Sequence, residues 1–262
     1  MRIVVTGEAC DDVFIYGDCK RLCPEGPVPV FTPQEQHRYN GMAANTRTNM
    51  SNICSDDDDL YGWFNDQRAT KTRYVDKASN QILLRIDEND ECEPIPKYTR
   101  ELFDGSDSLG VNVASIDLLV VSDYNKGFLT DQDLIDITDQ SKLSILDTKR
   151  KLNQAIIDAY QFIKLNSVEF DRNIELLISN NNMEKIIVTA GAKGVKYMDT
   201  VYPPPVVRQT FDVSGAGDVF TAGFAYSFAT SSNIVDSINK AQNFCSQTIQ
   251  KRGTCIYEKG MG

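Results

Sequence analysis

Apolar residues along this chain gather in short runs separated by polar punctuation. Arg2 to Thr6 reads as a buried strand stopped by Gly7, where a loop opens and the acidic residues Glu8, Asp11 and Asp12 follow. Prolines between Pro24 and Pro33 restrict any strand there to an edge or a separate flap. Residues 70–88 read as two strands joined around Ala78, Ser79 and Asn80. From Asp117 onward strand and helix alternate. The strands predicted are Asp117–Val121, Ser144–Leu146, Phe162–Leu165 and Lys185–Thr189, with helices from Thr130, toward Ala159 and over Ser167–Ser179. That alternation predicts βαβ units and a mainly parallel sheet. Two helices, Gly215–Phe228 and Ile234–Gln250, complete the chain.

Composition narrows the function classes. At 262 residues the chain is long enough to bury a full core, and 27 Lys+Arg against 37 Asp+Glu leave a formal net charge of −10. Such a charge opposes general attraction to nucleic acid or an anionic membrane, so an anionic substrate must be captured locally. No apolar run approaches the roughly 20 residues of a membrane span, and the start lacks the features of a signal peptide, which predicts a cytoplasmic protein. The seven cysteines are scattered without a CxxC pair, so free thiols are expected rather than disulfides or a zinc site. The lone histidine, His37, sits in a polar segment and reads as a surface loop or edge-strand residue. The run Asp56 to Asp59 reads as a solvated loop rather than a metal site.

The strongest chemical signal is Phe-Asp-Val-Ser-Gly-Ala-Gly-Asp-Val-Phe-Thr-Ala-Gly at 211–223. Gly215, Ala216 and Gly217 lie where a loop enters a helix, so their backbone N–H groups, backed by the helix dipole, form a cradle for a phosphate. Asp218 follows at once, where a carboxylate can take a proton from an attacking hydroxyl during phosphoryl transfer.

The string Asp-x-x-Gly-Ala-Gly-Asp-x-Phe-x-x-Gly at 212–223 resembles the C-terminal signature of the ribokinase-like carbohydrate kinases. Three further motifs fall in the right order. Asn166-Ser-Val-Glu169 resembles the family's Asn-x-x-Glu, which organises magnesium; Thr189 to Gly194 resembles its Thr-x-Gly-x-x-Gly nucleotide loop; Gly41 to Asn45 resembles the Gly-Gly-x-x-Asn element beside the sugar. Asp12 matches the acidic residue that holds sugar hydroxyls. Tyr16 to Val30, Thr70 to Arg73, Leu84 to Asp87, Ser122 to Gly127 and Asp147 to Lys149 are similar to the heptose 7-phosphate kinase branch.

The resemblance implies an α/β ribokinase-like three-layer sandwich, one domain over 1–262, with residues 13–32 and 70–88 forming a β flap or lid. It implies a kinase that uses ATP and Mg²⁺, with monovalent-cation dependence left open, and phosphorylates the anomeric hydroxyl of D-glycero-D-manno-heptose 7-phosphate. Asp218 is then the base and Gly215, Ala216 and Gly217 the anion cradle. Asp12, Gly41, Asn45, Arg21, Lys71, Arg73 and Arg85 face the sugar phosphate, the four basic residues being candidates for its distal phosphate. Asn166, Thr189, Gly191, Lys193, Gly194 and Lys149 face the nucleotide, Glu169 and Asn166 hold the metal through water, and Lys126 is a further candidate on the phosphate path. A homodimer through the flap is expected because its edge strands need cover. A kinase for another sugar or nucleoside, and a non-catalytic nucleotide-binding descendant, are the alternatives.

Three departures from the family pattern stand out. Only Thr46–Ala69 separates the Asn45 helix from the Thr70 strand, so a βα unit is expected to be missing and the fold to be compact. Met42 replaces a glycine beside the sugar, and Glu8 replaces an aspartate after the first strand.

Overall fold

The computed structural model describes residues 1–95, 115–207 and 209–260. Its larger sheet contains six parallel strands: β1 (Arg2–Gly7), β4 (Asp59–Phe64), β7 (Leu118–Asp123), β8 (Ser144–Thr148), β9 (Phe162–Asn166) and β10 (Ile186–Thr189). Two short antiparallel strands, β11 (Val195–Tyr197) and β12 (Thr200–Tyr202), extend one edge, in the order β12-β11-β10-β9-β8-β7-β1-β4. The middle strands are apolar on both faces, and alternate residues feed two cores. Val4, Leu119, Val121, Leu146 and Ile163 pack with residues of α2 (Asp131–Asp136), α3 (Gln154–Ala159) and α4 (Ser167–Ser179). Ile3, Val5, Leu118, Val120 and Ile145 pack on the opposite face with residues of α1 (Ala43–Ile53), α5 (Ala216–Ser231) and α6 (Ile234–Thr248). The result is the expected three-layer α/β sandwich.

A second sheet has the order β3-β2-β5-β6, built from β2 (Ala9–Leu22), β3 (Pro29–Met42), β5 (Ala69–Asp76) and β6 (Ile82–Glu88). Its proline-bearing strand β3 lies at an edge, as the missing N–H groups require, and carries the exposed His37. Two of the connections between the sheets lie side by side. Glu8 alone separates β1 from β2, and residues 65–68 link β4 to β5. Asn65 stitches the crossings together, accepting from the Ala9 N–H at 2.6 Å and donating to the Ala9 carbonyl at 3.3 Å. The contraction expected after α1 is therefore specific: β4 is present, and no helix lies between it and β5. The loop expected over Asp56 to Asp59 is a largely exposed turn only to Asp58, since Asp59 opens β4, and Asp58 is taken by the Met1 ammonium at 2.6 Å and by the Tyr226 hydroxyl at 2.9 Å.

Candidate active site

The carboxyl ends of the parallel strands converge on one edge of the larger sheet, the usual ligand position in an open α/β sheet. Register aligns Gly7 with Ser122, Ser122 with Asp147, and Asn166 with Thr189 along that edge. The start of α5 faces it. Gly215 adopts φ 81°, and a Cβ there would stand 2.5 Å from Asn45 Nδ2, so the left-handed turn and the close approach both require glycine. The Ala216 N–H donates to the Val213 carbonyl at 3.1 Å, and it must exchange that partner before it can face a phosphoryl oxygen.

Asp218 is buried in the first turn of α5. Asn45 Nδ2 donates to its Oδ2 at 2.9 Å, and the Tyr124 hydroxyl donates to its Oδ1 at 2.9 Å. Burial, reinforced by Asp147, outweighs these two hydrogen bonds and raises the carboxyl to about 6. A group poised there is basic enough to accept a proton near neutral pH. Tyr124 stays protonated because burial and the Asp218 charge push its hydroxyl well upward.

Beside Asp218 lies a charged cluster that sequence reasoning covered only in part. Lys164 Nζ contacts Asp147 Oδ2 at 2.8 Å, both side chains being buried, and the Thr221 hydroxyl donates to the same oxygen at 2.9 Å. Burial alone would raise Asp147, but Lys164 and Lys149 overcome it and hold the carboxyl below its ordinary range. Lys149 in turn reaches Glu169 Oε1 at 2.6 Å. The signal for Lys164 was its place as a lone charge within the apolar strand Phe-Ile-Lys-Leu-Asn.

Asn166 and Glu169 form a reciprocal capping box at α4. Asn166 Oδ1 accepts from the Glu169 N–H at 2.9 Å, and Glu169 Oε2 accepts from the Asn166 N–H at 2.7 Å. Thr189 closes β10 beside Asn166, followed by the turn Gly191–Lys193 and by Gly194, with Lys193 exposed. These nucleotide-side candidates thus share one edge, next to the Lys149–Glu169 pair.

Among the residues expected to face the sugar, the second sheet brings Asp12 and Arg73 together as a buried ion pair at 2.6 Å. A Cβ on Gly41 would lie 2.6 Å from Asp12 Oδ2, so the carboxylate packs against bare backbone. Lys71 Nζ is buried 3.3 Å from Met42 Sδ and 4.0 Å from Asp90 Oδ1, and Lys126 pairs with Asp90 as well. Arg85 lies opposite Arg73 in the β5–β6 register, beside this group, whereas Arg21 stands apart from it. Arg85 is spent on Asp87 at 2.7 Å, and Arg21 is exposed nine residues along β2 from Asp12, about 30 Å at strand rise. Among the described residues there is no cluster of three or more His, Cys, Asp or Glu suited to a metal, and no helix long and apolar enough to cross a membrane.

The comparisons agree with the fold. The family model described as pfkB family carbohydrate kinase matches residues 111–259. The chain is 27% identical to the bifunctional protein HldE of Hyphomonas neptunium and 25% identical to that of Helicobacter pylori strain P12, over 97% of its own length in each case. It spans only 61% and 64% of those proteins. The first alignment runs over 299 positions against 262 residues here, so the relative carries segments without counterpart in this compact chain. Among solved structures, Escherichia coli phosphofructokinase-2 in complex with potassium aligns with TM-score 0.74 at 11% identity, covering 100% of this chain and 96% of that one. Thermotoga maritima ribokinase aligns at 0.69 and 18%, covering 99% and 97%, and Arabidopsis thaliana ribokinase complexed with ribose and ATP at 0.65 and 13%, covering 98% and 95%. With this fold and this family match, the chain belongs to the pfkB family of carbohydrate kinases, phosphotransferases that act on a sugar alcohol.

Proposed function

We propose that this chain is a single kinase domain, lidded by its second sheet, that transfers the γ-phosphoryl group of ATP to the anomeric hydroxyl of D-glycero-D-manno-heptose 7-phosphate. The observation that carries the reading is Asp218, buried and raised to about 6 between the Gly215–Gly217 turn and the sugar-side residues Asn45 and Asp12. In the transfer, the sugar oxygen bonds to the γ-phosphorus as the bond to the ADP oxygen breaks, and the hydroxyl proton passes to Asp218. The Gly217 amide and the α5 dipole face the charge that develops on the phosphoryl group, and Lys164 and Lys149 stand close enough to share it. Thr189, Gly191, Lys193, Gly194 and Asn166 line the nucleotide path.

The donor set fits a magnesium ion held chiefly by phosphates and water, because Mg²⁺ keeps several waters and takes only one or two carboxylates. Glu169, with Asn166, would hold it through water, and the buried Asp147 Oδ1, which has no hydrogen-bond partner, adds a second oxygen nearby. The ion's part is to neutralise charge on the transferring phosphates. Lys71 is the best-supported distal-phosphate ligand, a buried ammonium whose ion pair with Asp90 is long, at 4.0 Å; Arg73 follows, and Arg21 and Arg85 would need to be released from their present positions. A homodimer through the flap is supported by β6, which lies at the edge of its sheet among the described residues and on which Ile82, Leu84 and Ile86 are all exposed. A potassium site belongs to the reading only by analogy with the phosphofructokinase-2 complex. One observation favours a second reading, a different sugar acceptor: Met42 closes the place where the family has glycine.

The test is ADP release from MgATP with the heptose 7-phosphate and a panel of other sugars and sugar phosphates, with Asp218→Asn as control. Turnover confined to the heptose supports the full reading; turnover with another acceptor moves the substrate; silence throughout, or full activity in Asp218→Asn, overturns it.

A further inference from the structure

The loop after β7 enters the site without any role in the reading above. Glu8 is fully buried at the end of β1, and its carboxylate accepts from three backbone N–H groups of that loop: Tyr124 at 2.7 Å, Lys126 at 3.0 Å and Phe128 at 3.3 Å. Alternate amides can converge on one carboxylate because Asn125 takes φ 56° and Gly127 φ 105°, which curls the backbone around it. A second set of bonds holds the loop from its other side, Cys92 N–H to the Lys126 carbonyl at 2.7 Å and Ile95 N–H to the Phe128 carbonyl at 2.7 Å. The loop is thus fixed at both faces, and Tyr124 projects from it. Its hydroxyl reaches Asp218 Oδ1, while Lys71 Nζ lies 5.6 Å and Lys149 Nζ 5.3 Å from its ring centroid.

We propose that Tyr124 is a positioning residue for Asp218, its hydroxyl fixing one carboxylate oxygen as Asn45 fixes the other, and that Glu8 anchors the loop that presents it. The inference rests on the reading of Asp218 as the base. With Oδ2 held by Asn45 and Oδ1 by Tyr124, the carboxylate plane has one orientation, and the remaining lone pairs face the incoming hydroxyl. The charged and titratable groups around Asp218 are Asp147 and Lys164 from β8 and β9, Lys149 after β8, Cys10 from β2, Cys245 from α6, and Cys255. None of them donates a hydrogen bond that could replace the Tyr124 hydroxyl. The glutamate at position 8 also has a physical account: its longer side chain lies inside the curled loop and meets three amides.

The experiment follows the Asp218 proton directly in the full chain with ¹³C-carboxyl-labelled aspartate, the signal being assigned by its loss in Asp218→Asn. In the wild type it titrates near 6. In Tyr124→Phe, which keeps the ring and removes only the donor, the midpoint rises by about one pH unit, because a hydrogen bond to a charged acceptor favours the charged form. Glu8→Gln frees the loop and shifts the midpoint the same way by a smaller amount. An unchanged midpoint in Tyr124→Phe overturns the positioning role, and one unchanged in Glu8→Gln alone overturns the anchor. Both readings are made without an acceptor sugar. Turnover that survives Asp218→Asn overturns the base assignment instead and leaves the proton arrangement intact. Where a panel sugar turns over, the acid limb of kcat/KM moves with the same midpoint while KM for MgATP holds.

Discussion

The guanidinium of Arg73 on β5 meets the carboxylate of Asp12 on β2 at 2.6 Å, with both side chains only 9% exposed. The pair fastens two strands whose hydrogen-bonded register places Arg73 opposite Phe14, two positions from Asp12 and on the same face. Removing one partner strands the other as a buried charge. Arg73→Met is expected to lose about 3–5 kcal/mol in urea denaturation, and a following Asp12→Leu to recover part of that loss. A loss under 1 kcal/mol in the single variant would mean that water reaches the pair.

Asp218 links activity to pH and stability in opposite senses. Its carboxyl must be ionised to accept a proton, so kcat/KM climbs with pH through a midpoint near 6. The folded-state value lies above the ordinary 3.8, so between these values the folded chain holds a proton that the unfolded chain has released. Stability from this group is therefore full at acid pH and falls as pH rises from about 4 to 6. Asp218→Asn is expected to raise Tm by several degrees at pH 7.5 and by clearly less at pH 4.5, where only the first part of the loss has occurred; equal shifts at the two values would refute the linkage.

The layers and strand ends of the larger sheet were legible because unbroken apolar runs such as Leu118 to Val121 mark strands buried on both faces. Asp218 was legible because the glycines that shape its turn precede it directly in the chain. Tyr124, and the placement of Arg85 opposite Arg73, were not. Tyr124 reaches Asp218 across 94 positions of sequence. Distant contacts depend on register and topology, which local periodicity does not carry.

Glu169 serves the fold and the proposed chemistry at once, and two substitutions separate them. Asn166→Ala removes the cap acceptor and is expected to cost about 1 kcal/mol in thermal or chemical unfolding. Glu169→Gln keeps an oxygen for the Asn166 N–H but turns an –NH2 toward Lys149 Nζ and Asn166 Nδ2, so it costs stability as well, and its distinguishing effect is that the Mg²⁺ needed for half-maximal turnover rises several-fold. An unchanged metal requirement would confine Glu169 to capping and to holding Lys149.

Met42 adopts φ 59°, a conformation suited to glycine, while packing 4% exposed beside Lys71. Backbone strain of about 1–3 kcal/mol offsets much of what its burial contributes. Met42→Gly is therefore expected to change stability by less than about 2 kcal/mol, whereas Met50→Ala in the relaxed helix α1 should lose about 2–5 kcal/mol. Equal losses at the two sites, measured by urea denaturation, would show the strain to be absent.

The exposed apolar row on β6 makes a further quantitative claim. Leu84→Asp combined with Ile86→Lys should convert a homodimer to a monomer in light scattering at micromolar concentration, with far-UV circular dichroism unchanged. A wild-type chain already monomeric at that concentration would remove the flap as a dimer surface.

Two crossings between the sheets, at Glu8 and at residues 65–68, sit side by side and are tied together by Asn65. Ala43, which follows β3 directly, donates its N–H to the Glu8 carbonyl at 2.9 Å, so a third junction closes on the same point. The Glu8 carboxylate ties a further segment, the amides of Tyr124, Lys126 and Phe128, to that junction. A change at position 8 therefore reaches the second sheet, helix α1 and the hydroxyl that holds Asp218 together.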